Sequence, residues 1–248
     1  MGTRVRVMDL EVDLLTQETL QAELNAYLSS DYLNTVHMIS LDYIDTYEKN
    51  ELVQQVLKEA DMVLPGEKAI LSAHHVEVLE TGGMVVDYHS LLEVLETMGA
   101  QGTTFYFVDR SEKEARILYR YLARRIPKEN VLGVFAADSG VAEESLINDI
   151  NTKLPDIILL SMESTEQEEW LENNKNRLNT KLCLAAGSVM PLIVRENVPV
   201  PVWLTRIHLD GLYRGITRLP YSHSFRKRIF NRKMDDYITK KKWRGERR

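Results

Sequence analysis

The sequence predicts an α/β fold: a Rossmann-like layered arrangement with a mostly parallel sheet, followed by a basic helical C-terminal appendage. Three observations predict it. Strand-like and helix-like segments alternate through the first 200 residues, the pattern of strands joined by helical crossovers. One strand candidate, Asp156–Met162 (DIILLSM), is apolar almost throughout, as a central parallel strand covered on both faces must be. The charge also divides sharply. Residues 223–248 carry eleven Lys/Arg against three Asp/Glu, while the preceding 222 carry twenty against thirty-four.

In chain order, Arg4–Val12 (RVRVMDLEV) alternates with the two-residue period of a strand, and Thr16 caps an amphipathic helix reaching Leu28. A second strand is expected at Thr35–Leu41. Glu51–Ala60 places Leu52, Val53, Val56, Leu57 and Ala60 on one helical face; the short run Met62–Leu64 follows and Pro65-Gly66 ends it. Tyr88–Met98 reads as a helix and Thr103–Val108 (TTFYFV) as a strand rich in β-formers. Ser111 with Glu114 three residues on has the spacing of a capping box and opens a helix to Arg125. A short strand at 131–135, a helix at Glu143–Leu154, the apolar strand, a helix at Glu166–Leu178 and a strand at Lys181–Ala186 complete the body. The charge change between about Pro199 and Ser222 sets the division into an α/β domain, residues 1–200, and an appendage, residues 201–248.

The 248 residues are enough for a proper core, and their composition (44% hydrophobic, 27% charged) is that of an ordinary globular chain. A single cysteine, Cys183, excludes a disulfide framework and a cysteine-rich zinc site; inside an apolar strand it reads as a core residue and suits a reducing compartment. No apolar run of membrane-spanning length occurs, and the N-terminus lacks the apolar block of a signal peptide. Gly-x-Gly-x-x-Gly, phosphate-loop and Gly-x-Ser-x-Gly motifs are absent, which removes support for dinucleotide, ATPase and serine-hydrolase readings. His74 and His75 are adjacent without carboxylates at ligand spacing, so no metal is expected.

The acidic cluster Glu163, Glu166, Glu168 and Glu169 follows the apolar strand, at the sheet edge where ligands bind in open α/β folds. Acids at a helix N-terminus are equally what the backbone dipole favours. In the tail, Phe225, Ile229, Phe230, Met234, Tyr237 and Ile238 recur every three to four residues among Arg226, Lys227, Arg228, Arg232, Lys233 and Lys240–Lys242. A basic helix with an aromatic stripe favours a membrane surface. Packing of the stripe on the body and nucleic-acid binding are the rivals, and the acidic body argues against nucleic acid.

Read together, the segments carry a resemblance. Ile147–Trp170 (INDINTKLPDIILLSMESTEQEEW) resembles the pattern Ile-Asn, Lys-Pro-Asp-Ile-Leu-Leu, Pro-Lys-Gln-Glu-x-Trp of the WecG/TagA/CpsF family of bacterial glycosyltransferases; Asn151, Lys153, Pro155, Asp156, Gln167, Glu168 and Trp170 match, while Thr165 and Glu166 replace Pro-Lys. Ala60-Asp61-Met62-Val63, Pro201-x-Trp203 and Leu212-Tyr213-Arg214 are similar to further family segments, in order and spacing from about residue 4 to residue 240.

The resemblance implies an enzyme at the inner face of the bacterial cell membrane. Such an enzyme moves a sugar, often N-acetylmannosamine, from UDP to an undecaprenyl-diphosphate-linked acceptor in cell-surface polysaccharide synthesis. It implies no cofactor or metal, docking of residues 223–248 on the membrane, and leaves a homo- or hetero-oligomer open. Gln167 and Glu168, with Ser40 and Gly187, are expected at the donor site, and Arg214, Arg218 and Arg226 are expected to balance pyrophosphate charge. The family's Thr-x-Asn-x-Glu falls on Met38, Ser40 and Asp42, its Asp-Gly on Gly66-Glu67, and its Gly-Gly around Val108–Arg110. Asp42 or Glu67 is therefore the expected base. The alternative is a catalytically lapsed homologue serving as a membrane-associated binding or partner subunit.

Overall fold

The computed structural model describes residues 3–74, 84–190, 192–193, 206, 211 and 223–245, with the side chains of 72–74, 223–226, 238 and 240–245 left aside. Six strands form one all-parallel sheet: β3 (Asn34–Ile39), β4 (Met62–Pro65), β5 (Phe105–Asp109), β6 (Val131–Ala136), β7 (Ile157–Ser161) and β8 (Leu182–Ala185), in the order β4-β3-β8-β7-β5-β6. The expectation of one strand over Arg4–Val12 is corrected. That segment is an antiparallel hairpin, β1 (Thr3–Val7) and β2 (Leu10–Leu14), turning at Met8 and Asp9. Both have positive φ, 48° and 69°, the mirror-image two-residue turn whose twist suits a hairpin; with no glycine there, the sequence did not signal it.

Alternate residues of each strand face opposite layers. Val36, Met62, Phe105, Phe107, Ile157, Leu159, Leu182 and Leu184 meet α1 (Gln17–Leu28), α4 (Tyr88–Ala100) and α5 (Glu112–Leu122) on one side. On the other, Tyr106, Val108, Ile158, Leu160 and Cys183 pack against α6 (Glu143–Lys153) and α7 (Ser164–Asn174). Ile39 and Val63 meet the hairpin, α2 (Leu41–Lys49) and α3 (Glu51–Glu59). The apolar run is thus central: β7 lies between β8 and β5 with all five residues buried. Burial pushes the Cys183 thiol far up, as expected of a core cysteine.

Several of the residues that carry the resemblance hold the scaffold. Asp61 Oδ2 accepts the Thr35 N–H at 2.8 Å, pinning the start of β3 beside β4. Asp156 Oδ2 does the same for Thr104 at 2.8 Å, beside β5. Asn151 accepts the Asn179 N–H (2.7 Å) and donates to the Arg177 carbonyl (2.8 Å), tying α6 to the turn before β8.

The final described helix, α8 (His223–Gly245), lies on the body. Phe230 and Met234 are buried in the cluster made by the hairpin and α2, Tyr237 packs against it, and Lys233 pairs with Asp45 of α2, holding that carboxyl below its ordinary range. Part of the aromatic stripe is therefore spent on the protein itself. Arg228, Ile229 and Arg232 are exposed. No helix among the described residues is long and apolar enough to cross a membrane.

Candidate functional site

β3 leads outward to β4 at one edge of the sheet and β5 leads outward to β6 at the other, so the connections diverge over β8 and β7. Ligands in open α/β sheets bind at the carboxyl ends of strands where this happens. A cleft of about 330 Å³ lies there, lined by residues that follow β3 (Ser40, Asp42, Tyr43, Thr46), β5 (Arg110, Glu114), β7 (Met162, Glu163, Ser164) and β8 (Gly187, Ser188), with Ser161 and Leu192.

Three helices begin at its wall. Ser40 caps α2, its hydroxyl accepting the Tyr43 N–H at 3.3 Å. The sequence pattern does not announce this helix; it predicts a strand to Leu41 and the next helix at Glu51, whereas the chain is already helical over Leu41–Lys49. Ser111 caps α5 by accepting the Glu114 N–H at 3.3 Å, as the capping-box spacing predicts. Helix α7 starts at Ser164. The floor is stitched across strands: the Ser40 N–H donates to Ser188 Oγ (3.1 Å), which donates to the Met38 carbonyl (2.9 Å). Three N-terminal dipoles thus give a positive backbone field. The side chains oppose it, with Asp42, Glu114 and Glu163 against Arg110, which itself pairs with Glu163.

Of the expected site residues, Ser40, Asp42 and Gly187 line this cleft. Gln167 and Glu168 do not; they lie behind it, buried, in a connected set. The Gly187 N–H donates to Gln167 Oε1 (2.9 Å), Gln167 Nε2 donates to Glu168 Oε1 (2.9 Å), and the Tyr43 hydroxyl donates to the same oxygen (2.6 Å). His37 Nδ1 lies 3.6 Å from it. Burial, then the neighbouring Glu168, pushes the Tyr43 phenol well above its ordinary value. This set joins α2, α7 and the turn after β8, and so fixes the shape of the cleft.

Glu67 is also buried, its Oε1 accepting the Leu41 N–H at 3.0 Å, so it holds the first turn of α2. Gly66, at the position of the family's Asp, has no room for a side chain: a Cβ would fall 2.6 Å from the Ile39 carbonyl oxygen and 2.3 Å from Val189 Cγ1. Arg214 and Arg218 lie outside the described residues. Arg226 lies on α8, with its side chain among those left aside. His75 and the side chain of His74 are likewise not described, and among the described residues no cluster of metal-ligating groups occurs.

The structure adds residues to which no sequence motif points. Asp109 ends β5 at 1% exposure, in register with Ser161 at the end of β7. Burial pushes its carboxyl up to about 6, with the neighbouring Arg110 and Ser111 backbone and the Ser161 side chain opposing the rise. The available signal was a lone acid closing an otherwise apolar strand, just before a cap serine.

Comparison with known proteins shows which family the chain resembles. The chain is similar to the N-acetylglucosaminyldiphosphoundecaprenol N-acetyl-beta-D-mannosaminyltransferase of Staphylococcus aureus (strain MRSA252), 14% identical over 218 residues, covering 86% of this chain and 84% of that one. The profile of the glycosyl transferase WecG/TagA/CpsF family matches residues 5–221. With the match spanning the sheet and every element that borders the cleft, the chain belongs to the glycosyl transferase WecG/TagA/CpsF family.

Proposed function

We propose that this chain transfers a sugar of the N-acetylmannosamine type from a UDP donor to a polyprenyl-diphosphate-linked acceptor, and that the cleft over β3, β8, β7 and β5 is where it does so. The observation that carries the reading is the meeting of three helix N-termini at the carboxyl edge of a parallel sheet, within a chain of this family. In the reaction the acceptor hydroxyl oxygen bonds to the anomeric carbon, the bond to the diphosphate breaks with its electron pair leaving on phosphate, and a carboxylate takes the hydroxyl proton.

Asp42 is the base in this proposal. It is exposed to the cleft, whereas Glu67 is buried on the α2 backbone. Ser40 and Gly187 contact the donor; Gln167 and Glu168 act behind it, holding the walls. Arg214, Arg218 and Arg226 offset the diphosphate charge. The exposed bases of α8 bring the chain to the anionic inner face of the bacterial cell membrane, by charge more than by insertion, since Phe230 and Met234 are already buried.

The lapsed-homologue reading is favoured by one observation: Gly66 stands at the family's Asp position and admits no side chain. UDP release from a panel of UDP-sugars, with a short-chain undecaprenyl-diphosphate-linked acceptor, decides between them. Acceptor-dependent release abolished by Asp42→Asn supports the transferase. Silence across the panel, with no UDP binding by calorimetry, refutes it in favour of the lapsed homologue.

A further inference from the structure

The two outer strands of the six-stranded sheet are finished differently. At the β4 edge the hairpin closes the layer: Asp13 of β2 accepts the Val63 N–H at 2.8 Å, so β4 already spends a backbone donor on it. The hairpin's own outer strand, β1, carries Arg4 and Arg6, charges of the kind that keep exposed strand edges apart. β6 has neither protection. Its sequence, VLGVFA, contains no charge and no proline, and only Ala136 is buried. Val134 is 40% exposed, and Val141, just beyond the strand, 50%. β5 pairs with one side of β6, and α5 and α6 pack on its faces. Among the described residues no strand pairs with its other side.

Two features keep this edge able to pair. The register with β5 shifts once, between Phe105 and Tyr106, and then runs regularly from Gly133 to Ala136. Gly133 would weaken a strand, but the Tyr106 ring fills its place: a Cβ there would fall 2.2 Å from the ring. The Tyr106 hydroxyl, donating to Asp149 Oδ2 at 2.7 Å, holds the ring in that position.

Charge identifies the occupant. At the amino end of β6 the exposed Arg124 and Lys128 outnumber Glu129, and at its carboxyl end stand the exposed Asp138, Glu143 and Glu144. An antiparallel copy of the strand brings each end against its opposite. Residues directly opposite in such a ladder either both bond across it or both do not, so a strand pairs with its own copy only about an axis through a residue. An axis at Gly133 sets Leu132 against Val134 and Lys128 against Asp138. An axis at Val134 leaves Lys128 diagonal to Asp138, still within reach of a long side chain.

We propose that the outer edge of β6 is a homodimer interface, in which two copies pair β6 antiparallel about a two-fold axis, with Lys128 of each beside Asp138 of the other. The two sheets then form one continuous sheet. The inference is independent of the transferase reading, since no β6 residue lines the cleft.

The test is sedimentation velocity of the full chain across the micromolar range, where the expected species has twice the mass of the chain. Val134→Lys places a charge on the pairing edge and weakens the dimer by roughly tenfold or more. Lys128→Glu and Asp138→Lys each set like charges together at both ends of the interface, and each variant alone dimerises roughly tenfold more weakly. Mixed one to one, the same two variants form a heterodimer with both charge pairs restored, and the mixture regains the native affinity. Far-UV circular dichroism shows that each variant is folded. Asp138 also accepts the Glu112 N–H at 2.9 Å, so should Asp138→Lys not fold, the half-exposed Val134→Lys decides alone. A monomer throughout the range, a dimer indifferent to Val134→Lys, or a mixture of folded variants no tighter than its components overturns the interface.

Discussion

Replacing Gly187 by alanine puts a methyl group where no atom fits. An ideal Cβ at this position falls 1.8 Å from the Met162 carbonyl oxygen, 2.9 Å from its carbon and 2.8 Å from Gln167 Oε1. A carbon and a carbonyl oxygen rest at a little over 3 Å, so the chain after β8 must retreat from the end of β7 by more than 1 Å. The closest of these atoms, the Met162 carbonyl, is backbone, which cannot turn aside as a side-chain end can. Retreat also strains the Gly187–Gln167 bond and the adjacent bond from the Ala186 N–H to the Leu160 carbonyl (3.0 Å). Overpacking of about 2 kcal/mol and a weakened buried hydrogen bond of about 1 kcal/mol give a loss of about 3 kcal/mol. For a chain of this size that is a fall of roughly 6–12 °C in melting temperature. Urea unfolding with an unchanged slope gives the energy directly. The control is Gly99→Ala, where the Cβ meets only the Ile126 side chain, at 3.0 Å, and α4 gains helix propensity; its change stays within about 1 kcal/mol. Should Gly187→Ala unfold with the control, the close approach of β7 and β8 at the cleft is refuted.

Three further outcomes are expected. Tyr43→Phe removes a 2.6 Å donor from the buried Glu168 carboxylate and lowers stability by about 2 kcal/mol in urea unfolding; a change below about 0.5 kcal/mol contradicts the buried network. Because Asp109 is pushed up to about 6 on folding, the unfolded chain loses this proton first. Stability attributable to it is therefore present below pH 4 and declines as pH rises through about 6, and Asp109→Asn flattens that part of the profile, on the order of 2 kcal/mol between pH 4 and 7. Phe230→Ala empties a site 3% exposed between α8 and the body, so trypsin cleaves within 223–245 at least tenfold faster; an unchanged rate means the helix is not held there.

The sheet was legible because its signals are local. DIILLSM announced a central strand and TTFYFV another, each within two residues of the observed bounds, and Thr16 and Ser111 announced the starts of their helices, the second of which ends at Leu122, three residues before the expected Arg125. Helix α2 was not, since LDYIDTYEK sits directly against α3 with only Asn50 between, and the two run together in a hydrophobic pattern. The hairpin was missed because Met8-Asp9 is a turn without glycine. For the site, motif position gave Ser40, Asp42 and Gly187, which line the cleft. It also gave Gln167, Glu168 and Glu67, whose burial depends on contacts with Tyr43, His37 and Leu41 that no spacing reveals. Asp109 and Ser161 become neighbours only through the register of two strands separated by α5, β6 and α6.

The cleft also has a place in time. Its residues come from near positions 40, 110, 161 and 187, and the pairing of β3 with β8 joins segments almost 150 residues apart. Closing a loop of that length comes late, since its entropy is lost before the strand contacts repay it. A chain growing from the ribosome has the hairpin, β3 and β4 long before β8 exists, and during that interval it has no cleft. Ligand binding is then a property that appears with the last central strand, and a ligand added during refolding reports the completion of the sheet and not its beginning.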